Sequence, residues 1–488
     1  MAGLEEQLLS ILGVLNDYLW GSILIWVLMI SGIFFTIATR FVQFRYFTHM
    51  IENLKNSRHS DGGISPFQAF CTGLAARVGT GNLAGIAVAI TLGGPGAIFW
   101  MWLVAIIGMA TSFVESTLAQ TFKVKNDDGS SRGGPAYYIE QGLGSRFWGV
   151  VFSICLIISF GFAFNGVQSN SISAALELSF EVPTWLSGVL ITIATALVIF
   201  GGMKRVAKVV EIVVPVMAIA YILAALVVVV INIADVPAAF MTIVKSALGL
   251  EEAAAGALGA AMMNGIKRGL FSNEAGMGSA ANAAATANPN PHHPATQGFM
   301  QMFGVFVDTI IICTCTAAVI LLFDGYADSE LEGIQLTQVA LAAHLGEWSA
   351  DFIAVIITLF AFTSIVANYT YAESNLKFIS ENTELLNGYR ILMLAIVMYG
   401  SIGSLPVVWS LADVTMGMMA LVNLGALVLL YKFVKVVFQD YEEQYKKGIL
   451  PVFEKDRYPD LDQYIAKNMW TEKREKIKAK YRKLRGKA

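Results

Sequence analysis

Two glycine-rich segments place polar backbone inside long apolar stretches of this chain. The first reads CTGLAARVGTGNLAGIAVAI from Cys71 to Ile90, and the second reads GALGAAMMNGIKRGLFSNEAGMGSAANAAATA from Gly256 to Ala287. Glycine lowers the cost of leaving a helix, and polar backbone at membrane depth is tolerated only where it lines a cavity or is buried in protein. The alternative is close helix packing through small residues. Both segments are therefore candidates for unwound, ligand-binding backbone.

An unwound membrane span can bind two kinds of ligand. It exposes amides at the start of one half-helix, which suit a carboxylate, and carbonyls at the end of the other, which suit a small cation. A zwitterionic amino acid together with Na⁺ meets both requirements. In the first segment we expect Gly79, Thr80, Gly81 and Asn82 to bind the carboxylate, and the carbonyls of Ala75 and Val78 to face the cation.

A second set of oxygen atoms lies in the segment AFTSIVANYTYAES. Thr363 and Ser364 are adjacent hydroxyl residues in an apolar context there. Sodium is suited by hydroxyl and carbonyl oxygens, but such hydroxyls also commonly bond back to a carbonyl one helical turn earlier. The sequence is therefore consistent with sodium binding by these hydroxyls and with local hydrogen bonds to the helix backbone.

Seven ionisable residues fall inside predicted spans. A lone charge in a membrane is costly, so such residues are paired or functional. Because both signs are present, we expect structural pairing for most of them, although the sequence does not say which partners meet. They are Arg77, Glu115, Lys267, Arg268, Glu274, Asp308 and Glu373.

The composition requires a lipid bilayer around this chain. Of its 488 residues, 56% are hydrophobic and 14% charged, with a mean hydropathy of +0.61. Soluble domains carry about 25% charged residues. Fourteen of the 33 Lys and Arg follow residue 440, which favours a solvated cytoplasmic helix at the C-terminus; nucleic-acid binding is improbable beside so many spans.

The apolar runs predict an all-α protein of the cytoplasmic (inner) membrane with eleven spans, its N-terminus outside and its C-terminus in the cytoplasm. No cleavable signal is expected before the first run, because its charge order is opposite to that of a signal peptide. The predicted spans are 20–39, 66–91, 96–122, 147–176, 184–201, 208–232, 253–286, 296–323, 349–379, 389–404 and 406–436, with a short extracellular helix near 237–249.

The positions of the two glycine-rich spans indicate an internal repeat. When the first span is left out, each of them begins a set of five spans, and corresponding interruptions in two halves indicate an inverted-repeat transporter. The predicted division is 1–65 for the extra helix and an amphipathic linker, 66–232 and 233–436 for the repeats, and 437–488 for the basic tail.

Three motifs resemble those of the alanine/glycine:cation symporter family. They are GGPGAIFWMWLVAIIG from Gly93 to Gly108, GGPAYYIE from Gly133 to Glu140, and KRGLFSNEAGMGSA from Lys267 to Ala280. The resemblance implies a leucine-transporter-like five-plus-five fold with one extra N-terminal helix. It also implies sodium-coupled import of small neutral amino acids by alternating access, without an organic cofactor.

The resemblance further implies residues for both ligands. The Na⁺ ligands would be the carbonyls of Ala75, Val78 and Phe360 and the hydroxyls of Thr363 and Ser364. The amino-acid pocket would add Phe164, Asn165, Gln168, Asn264 and Phe271, although the two phenylalanines are equally well explained as lipid-facing or core aromatics.

One departure from the family pattern leaves the substrate open. Asn368 stands where we expect many family members to carry Trp, and a smaller polar residue enlarges the pocket and adds a hydrogen-bonding group. Glutamine is therefore an alternative substrate to alanine and glycine. A proton-coupled carrier using Glu115, Glu274 or Asp308 is the nearest rival mechanism. A channel, a receptor and a membrane enzyme are disfavoured, because no repeated pore motif, large signalling domain or catalytic histidine in a span is present.

Overall fold

The computed structural model describes residues 2–55, 57, 63–126, 129–200, 203–250, 254–477 and 479, without the side chains of 2–4, 203–209, 254 and 255. It is helical almost throughout. The helices of the first half are α1 Ala2–Tyr18, α2 Ile25–Ala38, α3 Val42–Arg45, α4 Phe47–Lys55, α5 Pro66–Arg77, α6 Thr80–Gly93, α7 Ala97–Thr121, α8 Pro135–Leu143, α9 Arg146–Leu156, α10 Phe164–Phe180, α11 Thr184–Ile199 and α12 Met203–Ile231.

The second half repeats this pattern of long helices joined by short loops. Its helices are α13 Val236–Ala247, α14 Ala254–Asn273, α15 Ser279–Thr286, α16 Ala295–Val305, α17 Cys313–Leu321, α18 Ile334–Leu345, α19 Trp348–Ile379, α20 Thr383–Ile402, α21 Leu405–Lys446 and α22 Pro459–Asp462. Single π-helical turns, Leu19–Leu24, Ile157–Ala163 and Phe306–Ile312, join α1 to α2, α9 to α10 and α16 to α17. Two short antiparallel strands, β1 Val124–Lys125 and β2 Ser131–Arg132, form a hairpin after α7.

Two spans are broken where the glycine-rich sequences predict. The first break separates α5 from α6 at Val78 and Gly79, both with non-helical backbone. The second separates α14 from α15 over residues 274–278, where Gly276 and Gly278 have φ values of +95° and +82°. Those values favour glycine, which explains why the second break needs several glycines.

Within the described residues, nine helices are long and apolar enough to cross a membrane. They include eight predicted spans and the first span, which is longer than predicted and extends from Glu5 to Ala38. The two remaining predicted spans are α11, which has 16 residues, and the broken pair α14 and α15. The structure thus shows a multi-pass helical membrane protein, with a count of eleven left as a prediction.

One helix was not predicted, and one prediction about an individual segment is wrong. Helix α18 lies between the predicted spans 296–323 and 349–379, where none was expected; its Thr337 Oγ donates to Leu83 O on α6 at 3.1 Å. The C-terminal segment is also not a solvated helix in its described part, because Phe453 and Trp470 are buried. Its last residues, 480–488, lie outside the described residues. The predicted boundary at 437 falls within α21, which continues to Lys446.

The broken helices lie inside the bundle. Helix α5 packs against α12, α15 and α19, and α6 packs against α14 and α18. The pair α10 and α19 forms another extensive contact, as does α7 with α14 and α16. Every residue of the span Pro66–Gly93 from Gly73 to Ile90 is buried. Polar backbone at the first break is therefore shielded from lipid by protein on every side.

Candidate substrate and sodium site

The first break presents the amides that begin α6. The Gly79 amide donates to the side chain of Asn82 at 3.0 Å, so Asn82 caps its own helix. The Thr80 amide and hydroxyl both donate to Gln168 Oε1, at 3.1 and 2.8 Å. Gln168 is the neutral acceptor that α10 supplies to this helix N-terminus. All four residues are buried.

Only glycine fits at position 79. A Cβ atom there would lie 2.5 Å from Ser364 Oγ and 2.9 Å from Gln168 Oε1. The φ of Gly79 is −158°, which any residue adopts, so the requirement is close approach and not backbone strain. The small residue lets α10 and α19 bring their polar side chains directly against the break.

Oxygen atoms from α5 and α19 converge at the same place. Ser364 Oγ donates to Ala75 O across the interface at 2.7 Å and also lies 3.0 Å from Phe360 O. Thr363 Oγ donates to Phe360 O at 2.8 Å. Four predicted sodium ligands are thus brought together, while both hydroxyls also make the local bonds that were the alternative explanation. Val78, the fifth, is buried at the end of α5 with extended backbone.

Aromatic rings form a wall beside the break. Phe164 stacks on Phe271 with ring centres 4.3 Å apart and 12° between the planes. The ring centre of Trp409 of α21, which the sequence did not single out, lies 4.7 Å from that of Phe271. A Cβ on Gly81 would lie 2.9 Å from the Phe271 ring. The two phenylalanines are therefore interior residues adjoining α6, and a lipid-facing position is excluded.

Asn165 and Asn368 form a buried amide pair between α10 and α19. Asn368 Nδ2 donates to Asn165 Oδ1 at 3.1 Å, and Asn165 Nδ2 donates to Gly161 O at 3.0 Å. Among the described residues, no partner is found for Asn368 Oδ1. Asn368 lies one turn from Ser364 along α19, and Asn165 one turn from Gln168 along α10. The pair therefore adds one free acceptor next to the break.

Asn264 is not brought to this site. Its side chain donates to Leu92 O at 3.3 Å and to Ala260 O at 3.0 Å. Leu92 is twelve residues after Thr80 on the same helix, which corresponds to about 18 Å. Asn264 and Phe271 are two helical turns apart on α14, and only Phe271 reaches the break. The separation of Asn264 and Phe271 along the helix can be read from the sequence, but the sequence does not show which helical turn faces the break.

A buried carboxylate lies on the opposite side of α6. Asp308, on the π-helical turn after α16, accepts hydrogen bonds from Ser272 Oγ and Thr309 Oγ, both at 2.7 Å, and from Asn82 Nδ2. Asp308 was named as an intramembrane charge, but Ser272 was missed. The available signal was its position beside Phe271 within an interrupted span.

Four of the other intramembrane charges have partners elsewhere, and two of them share one carboxylate. Arg268 pairs with Asp413 of α21, and Lys267 lies 3.6 Å from the same carboxylate. Glu373 pairs with Lys377 at 2.7 Å. Arg77 donates to Gln301 O at 3.1 Å.

Arg268 also covers the aromatic wall. Its guanidinium lies 4.5 Å from the centre of the Trp409 ring. This ion pair therefore adjoins the wall beside the break, whereas Glu373 pairs at the end of α19.

The chain is similar to known transporters along most of its length. A model of the sodium:alanine symporter family matches residues 5–455. A Bacillus subtilis protein described as a probable sodium/glutamine symporter is 49% identical over 455 residues, 93% of this chain and 95% of that protein. A sodium/alanine symporter of Methanococcus maripaludis is 38% identical over 434 residues, 86% of this chain and 94% of that protein.

Solved structures support the same fold class. A variant of the Eremococcus coleocola manganese transporter superposes with a TM-score of 0.50 at 12% identity, covering 85% of this chain and 82% of that one. Such low identity shows the fold alone, a helical membrane fold that the two proteins share. Together with the family match over nearly the whole length, it places this multi-pass membrane protein among transporters. The chain belongs to the sodium:alanine symporter family.

Proposed function

We propose that this protein is a sodium-coupled symporter that imports small neutral amino acids, alanine and glycine, by alternating access. The observation that carries the proposal is the close approach at the first break. There the oxygens of Ala75, Phe360, Thr363 and Ser364 adjoin the amide N-terminus of α6, which begins at Thr80. A site of this kind offers oxygen ligands to Na⁺ and N–H donors to a carboxylate within one short segment.

Coupling follows from the shared backbone of the first break. Na⁺ takes the place of the hydrogen bonds that the hydroxyls of Thr363 and Ser364 now make. It links α5 to α19 and thereby fixes the end of α5. The adjoining amides of Thr80 and Gly81 are then held in place for the substrate carboxylate. A carboxylate accepts hydrogen bonds about twice as strong as a neutral amide does. The substrate therefore displaces the Gln168 oxygen from the Thr80 amide.

We further propose the finer architecture that this mechanism needs. It has eleven spans, with one extra N-terminal helix followed by two inverted five-helix repeats over 66–232 and 233–436. The N-terminus lies outside and the C-terminus in the cytoplasm, across the inner membrane. The corresponding positions of the two breaks, one at the start of each repeat, support this arrangement.

Glutamine is the second candidate substrate. The specific observation is the free acceptor Asn368 Oδ1 in the buried amide pair, which suits the –NH₂ group of a carboxamide side chain. The Bacillus relative described as a probable sodium/glutamine symporter supports the same choice. Substituting Asn368→Trp removes this acceptor, so glutamine uptake should be lost while alanine uptake is retained.

Uptake of labelled alanine, glycine and glutamine into proteoliposomes tests the proposal directly. Uptake that needs an inward Na⁺ gradient and persists without a proton gradient is the expected result. Uptake driven by a proton gradient without Na⁺ would instead favour coupling through a carboxylate such as Asp308. No gradient-driven uptake of any of the three would contradict the proposed function.

The sodium site has a matched pair of test variants. Thr363→Ala removes a hydroxyl that adjoins the oxygen cluster, whereas Thr358→Ala removes one on the same helix that bonds only to Ala354 O, at 2.7 Å. We expect Thr363→Ala to raise the Na⁺ concentration for half-maximal uptake about tenfold or more, since losing one ligand costs about 1.4 kcal/mol or more. Thr358→Ala should retain wild-type sodium dependence. Equal sodium dependence of both variants would remove Thr363 from the site.

A further inference from the structure

The N-terminus of α15 is occupied by a carboxylate that the protein itself supplies. Glu115 Oε2, from the middle of α7, accepts hydrogen bonds from the amides of Gly276 at 3.2 Å and Gly278 at 3.1 Å. Asn423 Nδ2 of α21 donates to the same oxygen at 3.2 Å. The amides that begin a helix favour negative charge. Glu115 thus holds the position that a ligand carboxylate would otherwise take.

The C-terminus of α15 is held from the same helix. Gln120 Nε2 donates to Ala284 O, and to Ala287 O at 3.0 Å. Lys123 Nζ donates to Ala287 O at 2.8 Å, just beyond the end of α7. These carbonyls are among the groups that a helix end leaves without an intrahelical partner. One helix therefore supplies the acceptor at one end of α15 and the donors at the other.

The spacing of the two groups within α7 matches the spacing of their partners on α15. Glu115 and Gln120 are five residues apart on α7, about 7.5 Å. Ser279, the first residue of α15, and Ala284 are also five residues apart, about 7.5 Å at the same rise. Helix α14, by contrast, meets α7 through close apolar contacts, with Gly269 against Met101 and Val104. Contacts of that kind have no directional bond to break when helices slide.

We propose that Glu115, with Gln120 and Lys123, fastens α15 to α7 so that the two helices move as one body during transport. Glu115 is then a positioning residue that acts through the second break without touching the substrate. Movement at the second break occurs on the α14 side, before the fastened amide of Gly276. The inference rests on the proposed alternating-access transport and adds which half of the second broken helix stays attached.

Two substitutions at Glu115 test the proposal. Glu115→Gln keeps the size and one acceptor but removes the carboxylate from the α15 amides. We expect its maximal uptake rate to fall about tenfold or more, while the alanine concentration for half-maximal uptake stays within about threefold of wild type. Glu115→Asp keeps a carboxylate on a side chain one methylene shorter, and its rate should stay within about threefold of wild type.

Three outcomes would overturn the inference. An unchanged rate in Glu115→Gln would show that the carboxylate is dispensable. A rise in the half-maximal concentration parallel to the loss of rate would place Glu115 in ligand binding. A rate as low in Glu115→Asp as in Glu115→Gln, in protein with a wild-type melting temperature, would show that a carboxylate at these amides is not what matters.

Lys123→Gln provides a second variant in case Glu115→Gln does not fold. It keeps a hydrogen-bond donor on a shorter side chain, and a smaller loss of rate is expected. A rate equal to wild type would contradict the proposal that Lys123 fastens the C-terminus of α15. Wild-type protein assayed in the same vesicles distinguishes failure of the proposed function from failure of the proposed fastening. If wild type shows no uptake, the proposed function fails, and the fastening is judged only where wild type transports.

Discussion

The two breaks of this protein differ in what satisfies their amides. At the first, the N-terminus of α6 is bound by Gln168, a neutral side chain from a helix packed beside it. At the second, the N-terminus of α15 is bound by Glu115. A charged acceptor near a helix N-terminus stabilises it by about 0.3–1 kcal/mol at exposed sites and up to about 2 kcal/mol when partly buried. The second break is thus satisfied internally, and the first remains open to a stronger, external acceptor.

The surroundings of the breaks follow the same division. Next to the first lie the free acceptor of Asn368 and the hydroxyl of Ser364, groups suited to ligands. The second is enclosed by Glu115, Asn423 and Tyr138, which hydrogen-bond to one another. Similar glycine-rich sequences therefore form one break whose acceptor a ligand can replace and one break whose acceptor is a fixed part of the protein. The difference comes from residues on other helices.

The largest expected effect is at the first break. Gly79→Ala places a Cβ against Ser364 Oγ and Gln168 Oε1, so both side chains must leave their present partners. Overpacking of this kind costs about 1–3 kcal/mol, and we expect sodium-dependent uptake to fall about 100-fold. Gly425→Ala is the control, because its Cβ would meet nothing within 4 Å in helix α21. Equal uptake by the two variants would show that the first break is not the site.

Gln168→Glu should convert the first break into a copy of the second. A built-in carboxylate at the Thr80 amide competes with the substrate carboxylate and is stronger than the present amide. We expect the alanine concentration for half-maximal uptake to rise about tenfold, which corresponds to about 1.4 kcal/mol. Thermal melting in detergent checks that the variant is folded. Tighter alanine binding in this variant would show that a built-in carboxylate does not compete with the substrate at the first break.

The smallest expected effect concerns Lys123, which donates to the C-terminus of α15. Burial lowers the pKa of Lys123 to about 7, from its usual value near 10.5. Between these values the unfolded chain binds a proton that the folded protein does not. The free energy of unfolding therefore rises with pH across this window, by at most about 1.4 kcal/mol per pH unit.

Lys123→Met removes this contribution. Melting temperatures measured from pH 7 to 9 should therefore rise more steeply for wild type than for the variant. Parallel curves would show that Lys123 keeps its proton on folding. Methionine also leaves Ala287 O with only the hydrogen bond from Gln120. The variant therefore tests whether the attachment of α15 to α7 needs the Lys123 donor.

Much of the candidate site was predictable because it depends on local sequence. Both breaks follow from glycine within apolar runs, and the pairing of Thr363 with Ser364 follows from adjacency on one helix. The family resemblance implied both Asn264 and Phe271 of α14 as pocket residues, but the two lie two turns apart and only Phe271 reaches the break. Ser272 and Trp409 were missed because their partners lie on distant segments.

The sequence by itself determined the membrane class, the long helices, the two breaks and the family resemblance. Each of these depends on composition, apolar run length or contiguous motifs, which are read along the chain. Only the tertiary structure decided which side chain occupies each break, because Gln168 and Glu115 come from other helices. It also decided that the C-terminal segment packs inward, with Trp470 Nε1 donating to Gln120 O at 3.2 Å. Contacts between residues hundreds of positions apart have no periodic signal, so a charged run there was indistinguishable from a solvated helix.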